Sequence, residues 1–325
     1  MNCGGAFLVA AAVLFPAAAP ADALVDRDNG PLTGLFGFPD SSEGGELEAP
    51  GSASVRFYAA TSSHSVTDSS GDQSLLFDGE TTRLAVSWRR GLADRAEVGV
   101  ELPYLLHESG SLDSFIDGWH RFFGLPDGIR DERPPDRLLI RYDDGNGQAL
   151  LLNRPASGLG DVRIFGGLQL AKTPSASFAL RFGVKLPTGD SRRLLGSGGT
   201  DVSVGIAVDA NDLWGVSRLN GFYRISATWI GRPDDIPARS RNVVAQLSAG
   251  AAYSLTPRTT AAVQVSLRSP VYDSAISPMG GVAASLTAGL HFRLSDNHRL
   301  TLSVGEDIHP QSLPDVTFLL SLRMH

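Results

Sequence analysis

The chain has 325 residues, a net charge of -7 and a mean hydropathy of -0.02, and it lacks the clustered basic face of a nucleic-acid-binding protein. Beyond the N-terminus it also lacks the run of ~20 apolar residues that a membrane-spanning helix requires. A membrane β-strand needs only ~9–11 residues, of which every second one faces lipid, so this composition is compatible with a β-barrel.

The N-terminus predicts export. Residues 6–19 form an apolar run broken only by Pro16, and Ala21-Asp22-Ala23 fits the small-x-small pattern of a cleavage site. We therefore predict a signal peptide over 1–23, a periplasmic N-terminal extension over 24–50 and a barrel over 51–325. The single cysteine, Cys3, precedes the predicted cleavage site, which excludes disulfides and thiol chemistry from the exported chain.

Beyond residue 50, apolar and polar residues alternate. Leu84, Val86 and Trp88, for example, are separated by small or polar residues, and similar rows recur as far as Met324. Successive side chains of a strand point to opposite faces, so each row predicts one apolar and one polar face. We predict an all-β fold, a transmembrane antiparallel up-and-down barrel of about twelve strands, although a soluble β-sandwich would also alternate.

The lengths of the connections favour the membrane barrel. Short turns are predicted at 91–94, 173–175, 255–258 and 295–297, with 211–217 less clear-cut. They alternate with longer connections over 61–80, 105–159, 187–199, 231–240, 269–280 and 306–314. Short turns on one rim and long loops on the other are typical of bacterial outer-membrane barrels. The expected location is therefore the outer membrane, with its lipid and the barrel assembly machinery as partners.

Charged residues fall on the face opposite the apolar rows. An Arg or Lys facing mid-bilayer lipid would cost about 2–4 kcal/mol, so we predict that these residues face the lumen. The candidates for lumen selectivity are Arg83, Glu101, Arg163, Arg181, Lys185, Arg224 and Arg293. Their mixed signs also allow mutual pairing with a purely structural role, and that alternative stays open.

The connection 105–159 is long enough to contain structure of its own. Apolar residues recur at helical spacing over 112–123, which predicts a short amphipathic helix ended by Pro126 and Gly128. A hairpin with a turn at 144–147 is predicted over 138–152. We expect the helix at the lumen or the mouth, because its apolar face needs a packing surface. The candidate gate residues are Phe115, Trp119, His120 and Phe123, with a solvated loop histidine as the alternative for His120.

Several segments resemble a known family. Residues 112–120, 123–128 and 157–161 are similar to the uncharacterised envelope proteins grouped as domain of unknown function 3187. The stretch Leu-Pro-Thr-Gly-Asp at 186–190 also fits and is shared more loosely with outer-membrane proteins linked to phenol-degradation operons. The resemblance implies an exported membrane barrel and supplies no substrate or catalytic residues.

No motif in the sequence indicates chemistry. The seven histidines show no pair at metal-ligand spacing, and the glycine-rich stretch 196–199 lacks the Lys-Ser or Lys-Thr of a phosphate-binding loop. We expect no catalytic residue, cofactor, metal site or nucleic-acid partner. The favoured function is a narrow pore or facilitator for a small solute. The alternative is a closed structural or adhesive barrel whose extracellular loops bind partners, followed by a membrane-embedded hydrolase using His107 or His291.

Overall fold

The computed structural model describes residues 23–110, 137–308 and 316–325. Within them, one antiparallel sheet contains fifteen strands: β1 Ala53–Ser70, β2 Gln73–Ala93, β3 Ala96–Glu108, β4 Leu139–Asp143, β5 Ala149–Leu152, β6 Ala156–Leu159, β7 Arg163–Lys172, β8 Ala176–Lys185, β9 Asp201–Ala210, β10 Leu219–Trp229, β11 Val243–Thr256, β12 Thr259–Arg268, β13 Ala283–Arg293, β14 His298–Asp307 and β15 Val316–Met324. A single turn of helix, α1, covers Ser277–Gly280. None of the helices in the described ranges is long and apolar enough to span a membrane.

The sheet closes on itself because β1 pairs with β15, from Val55 opposite Met324 to Ser63 opposite Val316. Strands β1–β3 and β7–β15 form the wall, which confirms the predicted twelve-strand antiparallel barrel. The short strands β4, β5 and β6 extend this wall at the rim that carries the long loops. Closure pairs every wall strand on both sides, as a membrane barrel requires.

Side chains along the wall alternate between an apolar outer face and a polar inner face. On β2, Val86 is 37% exposed, whereas its neighbour Ser87 is 7% exposed. The same outward exposure recurs around the barrel at Leu102, Ile164, Phe182, Ile206, Ile225, Leu247, Val265 and Leu286. An apolar belt around a closed barrel matches lipid, and the architecture is that of an outer-membrane barrel.

The two rims differ largely as predicted. Tight turns join β2 to β3, β7 to β8, β11 to β12 and β13 to β14, and the hairpin predicted over 138–152 is confirmed as β4 and β5. The prediction of a long loop over 61–80 was wrong: β1 and β2 continue until Ser70 pairs with Gln73. Hydroxyl side chains continue the ladder there, with Thr61 and Thr82 Oγ1 atoms 3.0 Å apart. The helix predicted over 112–123 lies outside the described residues.

Residues 23–50, here called the lumen segment, lie inside the barrel. No side chain from 23 to 48 is exposed, and the segment hydrogen-bonds to inward-facing residues on most of the wall strands. This placement differs from the periplasmic extension predicted over 24–50. The physical reason is charge: six carboxylates and one arginine give the segment a net charge of -5, and the inner wall carries many arginines.

Candidate functional site

The lumen segment forms a loop inside the barrel. Its first limb, 23–30, rises along β1, where Asn29 Nδ2 donates to the carbonyl of Ala60 at 3.2 Å. Its tip, 31–38, lies at the long-loop end, where the amide of Gly37 donates to Asp201 Oδ2 at 2.8 Å. Its second limb, 39–50, returns to the short-turn end and leads into β1. The segment thus occupies much of the length of the lumen.

Close approach to the wall requires glycine in the second limb. A Cβ atom at Gly45 would lie 2.2 Å from the carbonyl oxygen of Ser177 and 2.6 Å from the amide nitrogen of Asp209. Gln169 Nε2 on β7 donates to the Gly45 carbonyl at 2.8 Å from the adjoining wall. The backbone therefore lies directly against β7, β8 and β9, where a larger residue would displace it.

Ion pairs hold the first limb. Arg27 Nη2 donates to both carboxylate oxygens of Glu101 on β3, each at 2.8 Å, and both side chains are buried. Asp28 pairs with Arg268 on β12, on another side of the barrel. Arg83 on β2 donates through Nε to Asn29 Oδ1 at 3.2 Å. Charge-assisted hydrogen bonds to three separate strands position this limb.

A second group of charged residues holds the second limb. Glu43 pairs with Arg163 on β7, and the side chains are 2% and 4% exposed. Arg224 on β10 donates to the Glu43 carbonyl at 3.0 Å. Arg181 on β8 donates through Nε to the Gly44 carbonyl at 2.7 Å and also pairs with Glu97 on β3. These arginines bind backbone as well as carboxylate, so they fix the path of the limb.

Lys185 joins the tip to the wall and to a loop. Its Nζ lies 2.8 Å from Asp161 Oδ2 and 3.1 Å from Asp201 Oδ2, and it donates to the carbonyl of Leu35 at 3.2 Å. It also hydrogen-bonds to Ser197. One buried ammonium thereby pairs with two buried carboxylates and holds the backbone of the tip.

The structure therefore brings six of the seven predicted lumen residues together around the lumen segment: Arg83, Glu101, Arg163, Arg181, Lys185 and Arg224. Arg293 has the inward parity but ends β13 at the short-turn rim, where its Nη2 donates to the Pro257 carbonyl at 2.6 Å. The predicted gate residues Phe115, Trp119, His120 and Phe123 lie outside the described residues.

The sequence did not reveal which residues of the lumen segment pair with these wall side chains. Arg27, Asp28 and Glu43 belong to the lumen segment, which has no alternating pattern to place it inside a barrel. A signal was present in the density of carboxylates over 26–48, which complements the arginines of the inward rows.

An apolar cluster, here called the apolar cap, lies at the long-loop end. Leu32, Leu35, Phe36 and Phe38 of the tip share it with residues of the outer strands and loops: Leu75, Phe77, Leu105, Leu138, Ile140, Tyr142, Leu194, Leu195, Ile230, Ile236, Ala238, Val244, Val271, Tyr272, Ile276 and Met279. Tyr272 donates its hydroxyl to the Leu32 carbonyl at 2.8 Å, and burial raises the pKa of that phenol, so it stays protonated. The tip and the loops thus share one core.

Two histidines considered for hydrolysis are engaged in structural hydrogen bonds. His107 contacts Thr81 Oγ1 at 3.0 Å through Nδ1 and the Leu194 carbonyl at 2.8 Å through Nε2. His291 Nδ1 lies 2.8 Å from Thr301 Oγ1. None of these bonds involves a serine. Across ranges 23–110, 137–308 and 316–325, no group of three or more His, Cys, Asp or Glu side chains is arranged to hold a metal ion.

The model of one protein family, described as "Protein of unknown function (DUF3187)", matches residues 23–325. The chain belongs to this family. The match confirms the resemblance seen in the sequence, and it covers the lumen segment together with the barrel. No curated protein matches the chain significantly.

Solved structures share the barrel fold. The COG4313 outer membrane channel from Pseudomonas putida F1 superposes with a TM-score of 0.55 at 15% identity, over 86% of this chain and 96% of that one. The NanC porin gives a TM-score of 0.46 at 11% identity, over 84% of this chain and 100% of that one. The CymD monoaromatic hydrocarbon channel gives a TM-score of 0.39 at 10% identity, over 85% of this chain and 88% of that one. The first of these shows that the fold is that of an outer-membrane channel.

Proposed function

We propose that the protein is a narrow outer-membrane channel for a small solute, and that the lumen segment closes it at rest. The observation that carries this proposal is a non-strand segment, with no exposed residue from 23 to 48, that crosses the lumen on ion pairs while two cavities remain beside it. A twelve-strand wall encloses a lumen slightly wider than the eight-strand barrels that side chains alone can fill. The fold of a solved outer-membrane channel supports the same function.

The charged lumen residues act chiefly on the segment in this proposal. Each buried pair has lost hydration, and removing one partner of such a pair costs about 3–5 kcal/mol because the other charge stays buried. The segment is therefore either fully seated or displaced, which is the two-state behaviour of a gate. The predicted gate residues Phe115, Trp119, His120 and Phe123 would act at the outer mouth. The channel performs no chemistry on the solute.

The alternative is a closed structural or adhesive barrel. The apolar cap favours it, since the tip and the outer loops form one buried cluster at the long-loop end. In that case the lumen charges contribute stability alone, and the outer loops bind a partner. The two functions differ in whether the segment can move without unfolding the barrel.

Single-channel recording from the refolded exported protein in a planar bilayer separates them. We compare wild type with Arg27→Gln, which leaves Glu101 buried without its guanidinium partner. The matched control is Glu46→Gln, whose partner Lys172 is 56% exposed. We expect brief, small openings of wild type, far more frequent openings of Arg27→Gln, and a control like wild type. A folded barrel that stays silent in all three would establish the closed alternative.

A further inference from the structure

Two cavities lie beside the lumen segment. The first, here called the long-loop cavity, has about 790 Å³ of space between atoms, including the part open to solvent, and is lined by residues 25–28 and by β11–β15. The second, the mid-barrel cavity, has about 380 Å³ and is lined by residues 39–43 and by β8–β11. Both are lined by Pro39, Ser41, Gln246 and Ser248, so they adjoin at this point. Together they follow the wall around the segment.

The wall of the long-loop cavity differs from the charged wall on β3, β7 and β8. Six of its wall side chains are short and carry hydroxyl groups, and no aromatic ring is found among its described lining residues. The hydroxyls are Ser248, Ser266, Ser285, Thr287, Ser303 and Thr317. A hydroxyl group both donates and accepts hydrogen bonds, so this surface suits a solute that does the same.

Two polar atoms of uncharged side chains on this wall lack a hydrogen-bond partner among the described residues. They are Oε1 of Gln246, at the junction of the cavities, and Oγ of Ser303, a side chain that is 91% buried. A buried polar atom left unpaired is unfavourable, and a solute that donates a hydrogen bond to it relieves that penalty. Their position points to a polar solute that contacts β11 and β14.

The charges along the two cavities are mixed. Asp26, Asp28, Glu306 and Asp307 line the long-loop cavity with Arg27 and Arg268, whereas Arg181 and Arg224 line the mid-barrel cavity with Asp40 and Glu43. The first set is acidic overall and opposes an anion, whereas the second is neutral overall and supplies no net attraction to offset the hydration that a cation loses there. An uncharged solute is opposed by neither.

We propose that the solute is a small, uncharged, polyhydroxylated compound, and that it passes from the long-loop cavity to the mid-barrel cavity across Gln246. This inference rests on the proposed channel function and assigns it a substrate class. Gln246 is then the specificity-determining residue, because every solute molecule passes its amide.

The test measures flux of three solutes of one size through proteoliposomes: sorbitol, gluconate and glucosamine. They carry similar hydroxyl groups and differ in charge. Four proteins are compared: wild type, Arg27→Gln, Gln246→Leu, and the double variant with Arg27→Gln and Gln246→Leu. Gln246→Leu removes the amide at nearly constant volume. The matched control is Ser254→Ala, on the same strand and face but outside both cavities. Single-channel ion conductance is recorded for every variant.

We expect sorbitol to pass at least tenfold faster than either charged solute, and Gln246→Leu to slow sorbitol about tenfold, a larger loss than its loss of ion conductance. Ser254→Ala should match its parent. Equal flux of the three solutes, or sorbitol flux unaffected by Gln246→Leu in a conducting channel, would overturn the substrate class and leave the channel intact. Absence of both ion conductance and flux in wild type and Arg27→Gln would instead refute the channel itself.

Discussion

Removing one member of the Glu43–Arg163 pair should release the lumen segment. The pair is almost fully buried, and Glu43 lies on the second limb while Arg163 begins β7. In Arg163→Gln, the Glu43 carboxylate remains inside the barrel without its guanidinium, at a cost of about 3–5 kcal/mol to the seated state. Since ~1.4 kcal/mol is a factor of ten, the equilibrium between seated and displaced segment shifts by at least ~100-fold.

Single-channel open probability reports this equilibrium directly. We expect Arg163→Gln and Glu43→Gln each to raise it by about two orders of magnitude, or to saturation. The matched control is Lys172→Gln, because the Lys172–Glu46 pair is 56% and 31% exposed and such pairs contribute about 0–1 kcal/mol. Its open probability should therefore change by no more than about fivefold.

The double variant Glu43→Gln with Arg163→Gln makes the test specific. When both charges are replaced by neutral amides, no uncompensated charge stays buried, so the open probability should return most of the way to wild type. If the double variant is at least as open as the more open single variant, the buried pair does not hold the segment. Equal behaviour of Lys172→Gln and Arg163→Gln would refute the reasoning in the same way.

Three further outcomes follow from the same contacts. Lys185→Met leaves two buried carboxylates without their shared cation, so the temperature at which folded and unfolded bands interconvert on detergent gels should fall; an unchanged temperature would contradict the network. Val263→Arg, at mid-height on the outer face, should destabilise the membrane-inserted barrel by about 2–4 kcal/mol and reduce its assembly into liposomes. Leu255→Arg, near the short-turn rim, should destabilise it by only about 0–1 kcal/mol. Tyr272→Phe removes one hydrogen bond to the tip, worth about 1 kcal/mol, so openings should become about fivefold more frequent in bilayer recordings, with gel mobility unchanged.

The barrel could be predicted because the pattern that specifies it lies within each strand. Alternation along each strand decides which side chains face lipid, and Val86 and Ser87 show that a shift of one residue reverses exposure. The inward position of Arg163 and Arg181 followed from the same parity. The hairpin of β4 and β5 followed from its turn residues, where Gly145 adopts a φ of 75°.

The lumen segment could not be predicted by these means. Its residues have no period, and most of its contacts with the wall join distant parts of the chain: Glu43 and Arg163, for example, are 120 positions apart. Parity arguments place a charge in the lumen but do not identify its partner. The length of β1 and β2 was missed for a related reason, because serine and threonine at 61–70 suggest a loop when their cross-strand partners are unknown.

A reversible tether between the lumen segment and the wall tests the central claim most directly. A Cβ atom at Gly37 would lie 3.2 Å from Cβ of Asp201, close to the ~3.5–4.5 Å found in disulfides, but 2.6 Å from Cβ of Lys185, so Lys185→Gly is made in the same protein to give it room. The only native cysteine is Cys3 in the predicted signal peptide. Gly37→Cys and Asp201→Cys are therefore introduced into the Arg163→Gln protein, and one membrane is recorded before and after reduction. We predict silence when the disulfide is formed and discrete openings after reduction. Equal conductance in the two states, with the disulfide verified by mass spectrometry, would contradict a lumen segment that closes the channel.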